Sequence, residues 1–315
     1  MINRQLIRIK IVQLVYAYYQ NGPRTIDQVT KELHASMTKA YELYGLLLEL
    51  IVAITREERH RLEVAMHRAQ REGTPEPIAF LANNQFAAQL EDNEQLAQMR
   101  ETFHYDWNND IELVRALCDR IENTEIYQDY LSLTQPSYEE DREVWRRLYK
   151  QVIQSNEDID QLLEERSLYW NDDKDIVDTF VLKTIKRFRA DSSSEEQPLL
   201  PQFKDDEDML FAEHLLKQAI TGAEEYQQYM NDAARNWDLS RFAYMDLVIM
   251  QIALAEMLTS PEIPVSVTIN EYVELAKAYS TPKSGGYING MLDAIARHLA
   301  AEGILQKPLP QRKRN

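Results

Sequence analysis

Glycine is scarce, with eight residues in a chain of 315, well under the usual share of about 7%. So few glycines leave little room for tight turns and left-handed corners. The long stretches between prolines are instead rich in Leu, Ala, Glu, Gln, Lys and Arg, the residues that favour helix. The expected fold class is all-α. Cysteine is scarcer still: the single Cys118 can make neither an internal disulfide nor a Cys-based zinc site, and it reads as a buried apolar thiol. No apolar run approaches the roughly 20 residues that span a bilayer. The N-terminal stretch MINRQLIRIKIVQLVYAYYQ also lacks the small-residue cleavage site of a signal peptide. The expectation is a cytoplasmic location and no membrane partner.

Enzyme signatures are missing as well. The six histidines, at 34, 60, 67, 104, 214 and 298, form no HExxH, and no His/Cys/carboxylate group has metal-ligand spacing. GxSxG is absent. A phosphate-binding P-loop ends in Gly-Lys-Ser/Thr after a strand, whereas here Lys283 and Ser284 precede the glycines and a helical pattern precedes both. Acidic pairs such as Asp172 and Asp173 read as a solvated face or turn. No catalytic residue, metal or cofactor is expected.

What the chain does have is charge, unevenly spread. Its net charge is −17, which taken alone argues against a nucleic-acid partner. Between Asp106 and Asp208, however, there are 27 acidic and 13 basic residues, which accounts for most of the excess. Residues 1–26 hold Arg4, Arg8, Lys10 and Arg24 without an acid, and after Glu302 come only Lys307, Arg312, Lys313 and Arg314. Both ends are basic and the middle is acidic.

Apolar residues at Leu6, Ile9, Val12, Val15 and Tyr19 predict a helix over about 3–20. A second helical pattern, broken by loops, runs from about Thr25 to Arg71 and ends at GTPEP, residues 73–77. Residues 78–190 are helical in composition, acidic and aromatic, and RADSSSEEQPLLPQ, residues 189–202, reads as a linker. Further helices are predicted over about 207–234, 238–258, 265–279 and 287–301. Thr268 and Glu271 have capping-box spacing, with Pro264 as an alternative start. Shifted by 67 positions, LYKQVIQSNEDIDQLLEERSLYW, ending at Trp170, matches LLKQAITGAEEYQQYMNDAARNW, ending at Trp237, in a weak repeat.

Two features suit anion binding. Arg4, Arg8 and Lys10 lie in the first turns of a helix, where the macrodipole favours acids by about 0.3–1 kcal/mol each, so an external anion would compensate. Tyr16, Tyr18 and Tyr19 stand near them, and arginine and aromatic rings both suit RNA. The second feature is KSGGYING, residues 283–290, where three of the eight glycines fall. Gly285 and Gly286 read as a hinge that lets backbone approach a ligand at a helix start, and Gly290 as a packing position.

The stretch NWDLSRFAYMDLVIMQIALAEMLTSPEIPVSVTINEYVELAKAYSTPKSGGYINGMLDAIARHL, residues 236–299, resembles the C-terminal half of the NusB transcription antitermination factors. It carries their Trp-Asp-Leu-x-Arg, Ile-Ala-x-x-Glu, Ile-Pro-x-x-Val-x-Ile-Asn-Glu and Tyr-Ile-Asn-Gly-x-Leu-Asp elements. Arg4, Arg8, Gln13 and Tyr16 similarly resemble the family's first helix, although Ile2 and Leu6 stand in a normally polar stretch and Lys283 at a position often acidic.

The resemblance implies an all-α, NusB-like fold of two helical bundles with an additional inserted helical region. Residues 1–60 and 206–304 would form the NusB-like domain, 61–205 an acidic helical insertion and linker, and 305–315 a basic tail. It implies a non-enzymatic RNA-binding factor for boxA-like single-stranded RNA of ribosomal RNA leaders, acting with the small-subunit ribosomal protein that serves as NusE in the RNA polymerase antitermination complex. Arg4, Arg8, Lys10, Tyr279, Lys283, Ser284, Tyr287 and Asn289 would face RNA, and Tyr16 and Asp246 the partner protein. Two rival readings are a helical scaffold whose acidic insert binds a basic partner, and the RNA-capture part of an RNA-modification system. The latter needs an appended cofactor domain, for which the chain shows no glycine-rich strand-to-helix turn.

Overall fold

The computed structural model describes residues 1–22, 24–191, 199–233 and 242–310. Among the described residues the chain is helical and has no strand, as its composition predicts. The Trp-Asp-Leu-x-Arg element, Trp237 of the repeat and the end of the basic tail lie outside them. Two compact units divide the chain: unit one is residues 38–202 with Met1, and unit two is residues 2–37 and 203–315.

Unit two contains α1 (Arg4–Gln20), the first turns of α2 (Ile26–Glu72), α10 (Asp206–Thr221), α11 (Ala223–Ala233), α12 (Tyr244–Thr259), α13 (Val265–Tyr279) and α14 (Ser284–Ala301). Its axis is α12, which is buried without a break from Val248 to Met257. A helix apolar all round is enclosed by others, and α1, α10 and α13 pack on it, with α14 on α13. Sequence periodicity suggested a single apolar stripe for α12 and for α1. Both are instead buried on several faces, α1 from Leu6 to Val12.

Unit one contains the rest of α2, then α3 (Gln85–Glu91), α4 (Glu94–Phe103), a 3₁₀ turn at Trp107–Asp110, α5 (Ile111–Glu122), α6 (Glu125–Leu131) and α7 (Tyr138–Leu148). A π turn, Tyr149–Ile153, continues α7, and α8 (Glu157–Arg166) and α9 (Lys174–Arg187) complete the unit. Its core forms around the apolar run Leu43–Ile54 of α2. Two indoles fasten to that helix, Trp107 Nε1 donating to the Leu46 carbonyl at 3.0 Å and Trp170 Nε1 to the Lys39 carbonyl at 2.8 Å.

Several boundaries differ from the sequence reading. The second helix is uninterrupted over 47 residues, about 70 Å at 1.5 Å per residue. Gly45 does not break it, because a side chain there would come within 2.7 Å of Met99 Cε and of Tyr105 Oη; the glycine serves close approach. Gly73, at φ 66°, ends it. The α13 helix starts at Val265 behind Pro264, and Thr268 and Glu271 form no capping box. The last helix starts at Ser284, three residues early, so Gly285 and Gly286 lie within its first turn rather than in a hinge. Leu199 and Leu200, read as linker, are buried.

Candidate nucleic-acid and partner interface

The N-terminal basic cluster divides by burial. Asn3 caps α1, its side chain accepting the Leu6 N–H at 2.9 Å. Arg4 is half-buried; it lies 3.4 Å from Glu262 and 4.0 Å from Asp208, with its guanidinium 4.8 Å from the Phe211 ring centre. Arg8 is only 4% exposed and Lys10 is fully buried. Arg8 Nε and Nη2 donate to the two oxygens of Glu256 at 2.7 and 3.0 Å, and Nη1 donates to Glu271 at 3.1 Å. Glu256 also accepts from the Thr268 and Tyr272 hydroxyls, at 2.9 and 3.1 Å. Burial alone would lower the Arg8 pKa, but Glu256 together with Tyr272 and Glu271 outweighs it and the net shift is upward. The charge of Arg8 is thus answered from inside the protein, by acids on α12 and α13.

The C-terminal cluster is more open. Tyr279 and Tyr287 are half-buried, and Lys283, Gly286 and Asn289 are exposed. Asn289 borders a groove of about 230 Å³ with Asn270, Asp293 and Arg297. Ser284 is buried and serves the turn: its Oγ accepts the Thr281 N–H at 3.2 Å, lies 2.8 Å from the Thr281 hydroxyl and donates to Ser280 Oγ at 3.2 Å. A side chain on Gly285 would approach Lys277 Cγ to 3.0 Å, while at Gly286 there is open space.

Arg4 pairs with Glu262, ahead of α13, whereas Tyr279 ends that 15-residue helix, about 22 Å further along. The loop's aromatic neighbours come from elsewhere. Tyr287 meets Phe242 with ring centres 5.9 Å apart, and two residues on, Tyr244 meets Tyr16 edge-on at 5.7 Å. Tyr287, Phe242, Tyr244 and Tyr16 therefore form an aromatic strip, with Tyr244 44% exposed. Phe242 and Tyr244 receive no role in the sequence analysis, although two rings at the start of a largely apolar helix are a usable signal.

Tyr19 continues this side. Gln251 Nε2 donates to its hydroxyl at 2.7 Å, and both line a groove of about 310 Å³ with Tyr244, Met230, Leu247 and Val248. Asp246 is buried at the start of α12, where one carboxylate oxygen accepts the Ala243 N–H at 3.0 Å and the other has no hydrogen-bond partner among the described residues. It acts on this surface by shaping the helix start under Tyr244. No group of residues with metal-holding potential occurs among the described residues. No helix among them is long and apolar enough to cross a membrane.

Among the described residues unit two is helical throughout and presents aromatic and basic groups at its surface. The model of the NusB family matches residues 179–297. The transcription antitermination protein NusB of Salinibacter ruber is 35% identical over 132 residues, 40% of this chain and 82% of that protein. Its namesake in Geotalea daltonii is 34% identical over 134 residues, 42% of this chain and 89% of that protein. The namesake in Geobacter sulfurreducens is 39% identical over 93 residues, 30% and 67% of the two chains. No solved structure matches significantly. The chain belongs to the NusB family, as a long form.

Proposed function

We propose that the chain is an RNA-binding transcription antitermination and elongation factor. Its RNA would be boxA-type single-stranded leader RNA of ribosomal transcripts, bound together with the small-subunit ribosomal protein acting as NusE, within the RNA polymerase antitermination complex in the cytoplasm. The role is that of a non-enzymatic factor. The observation that carries the reading is the aromatic strip of Tyr287, Phe242 and Tyr244 beside exposed Lys283, in a chain of the NusB family. Rings supply stacking faces for unpaired bases, and the cation and the amide groups opening α14 suit phosphate.

Tyr279, Asn289 and Arg4 extend this surface. Arg8 and Lys10, which are buried, support it by fixing α1, and Ser284 supports it by holding the turn before α14. Tyr16 and Asp246 belong to the protein-partner side, with the groove at Tyr19. In this reading the NusB-type part is drawn from residues 1–60 and 206–304, with 61–205 inserted between them and 305–315 a basic tail.

The test is electrophoretic mobility of a boxA-containing RNA, with and without the ribosomal protein. Lys283→Glu combined with Tyr287→Ala is expected to weaken RNA binding by about 1–3 kcal/mol for the lost stacking, and to flatten the salt dependence by about 0.7 for each lost phosphate contact. Affinity and salt slope equal to those of the unmodified chain would reject the surface.

A further inference from the structure

The weak repeat has a structural counterpart. In unit one, α7 with its π turn (138–153), α8 (157–166) and α9 (174–187) succeed one another as α10 (206–221), α11 (223–233) and α12 (244–259) do in unit two. In each triplet the first helix packs on the third. At the offset of 67, Leu148 pairs with Leu215, Val152 with Ala219, Ile159 with Tyr226, Leu163 with Met230 and Val181 with Val248, and all ten are buried. A helix repeat that arose by chance would share composition, but would not keep its buried core positions in register as well.

The correspondence extends to a polar contact. Thr184 occupies the position of Gln251 at the same offset. Gln251 reaches the Tyr19 hydroxyl at 2.7 Å, and the Thr184 hydroxyl lies 2.5 Å from that of Tyr44. Each tyrosine is the second of a Tyr-x-x-Tyr pair on its helix, Tyr16 and Tyr19 on α1, Tyr41 and Tyr44 on α2. What the hydroxyl meets next differs. In unit two, Tyr19 and Gln251 border a groove of about 310 Å³ whose lining includes no charged side chain. In unit one, the Leu200 N–H donates to the Tyr44 hydroxyl at 3.0 Å, and Leu199 and Leu200 are buried, 1% and 6% exposed.

We propose that unit one is a diverged second copy of the helical module in unit two, and that its tyrosine site is a groove for an extended apolar peptide segment, held closed by the chain's own Leu199–Leu200. The occupant is this chain's segment: both leucine side chains are buried, and the Leu200 N–H gives the buried Tyr44 hydroxyl a second partner beside Thr184. The inference concerns unit one alone and stands whether or not the RNA surface proposed for unit two is correct.

The experiment uses the full chain with Leu199→Ser and Leu200→Ser, and a peptide of residues 197–203 added in trans. Amide exchange across α9 is expected to quicken by about tenfold or more in the variant, and the peptide is expected to restore its protection saturably while leaving α9 of the unmodified chain unchanged. A folded variant whose α9 ignores the peptide, or an unmodified chain whose α9 is protected equally, would overturn the proposal. Should the double variant not fold, Tyr44→Phe decides: exchange of the Leu200 amide several-fold faster supports the closed groove, and unchanged exchange rejects it.

Discussion

Arg8 and Glu256, 248 positions apart in the chain, form a buried two-pronged ion pair with contacts of 2.7 and 3.0 Å. It joins the first helix to the central helix of unit two, and Glu271, Thr268 and Tyr272 complete its hydrogen bonds. The pair turns a charge that resembles an RNA contact into a structural element.

Removing one partner of such a pair leaves the other charge buried. Arg8→Ala is therefore expected to cost about 3–5 kcal/mol, seen as a lower midpoint in urea unfolding. Arg8→Lys should recover only part of the loss, since an ammonium cannot match both carboxylate oxygens. A cost under about 1 kcal/mol, typical of a solvated surface pair, would contradict the buried geometry.

Asp178 in unit one gives a pH prediction. Burial raises its carboxyl to about 6 despite Lys174 and the Tyr149 hydroxyl, which lie 3.1 and 2.5 Å away. Because the folded value exceeds the unfolded one, the fold binds this proton more tightly and gains stability as pH falls through about 6 toward about 4. Between pH 7 and pH 5 the gain from this group is about 1 kcal/mol. Asp178→Asn, which keeps an acceptor for Tyr149, should flatten that part of a thermal-unfolding series against pH; an unaltered series would remove Asp178 as its source.

Burial, and then Glu58 nearby, push the Cys118 thiol well above its ordinary range. With no solvent access it should resist thiol reagents in the native protein and react at the rate of unfolding. Labelling kinetics followed across a urea series measure this, and rapid labelling in buffer would refute it.

Two glycines with similar helical backbones should respond oppositely to alanine. At Gly45 the added methyl meets Met99 and Tyr105 at 2.7 Å, and overpacking of this kind costs about 1–3 kcal/mol. At Gly286 it meets nothing within 4 Å, and the lower chain entropy should stabilise by about 0.4–1 kcal/mol. Thermal midpoints of the two variants, moving in opposite directions, are the expected result.

The fold class was legible because local composition governs it: few glycines and long runs of helix formers leave no other class. The edges of α1 and α13 were also legible, since Asn3 and Pro264 punctuate the chain at their starts. The length of α2 was not: its pattern reads locally as broken by loops, while the structure runs it through as one helix, with Gly45 packed close against Tyr105, 60 positions away. The start of α14 was missed for a related reason, two glycines being taken for freedom where the helix simply continues.

The candidate surface divides in the same way. Residue type and spacing alone determined that the ends are basic, that Tyr279 to Asn289 gather polar and aromatic groups, and that the chain resembles one family. Tertiary structure decided which of those groups face outward. Arg8 and Lys10 share one short segment with Arg4, yet acids from distant helices and close packing take them inside. The strip of Tyr16, Tyr244, Phe242 and Tyr287 exists only because three helix starts and ends converge. Helical propensity acts over a few residues, whereas pairing of charges and stacking of rings depend on packing between segments far apart in the chain.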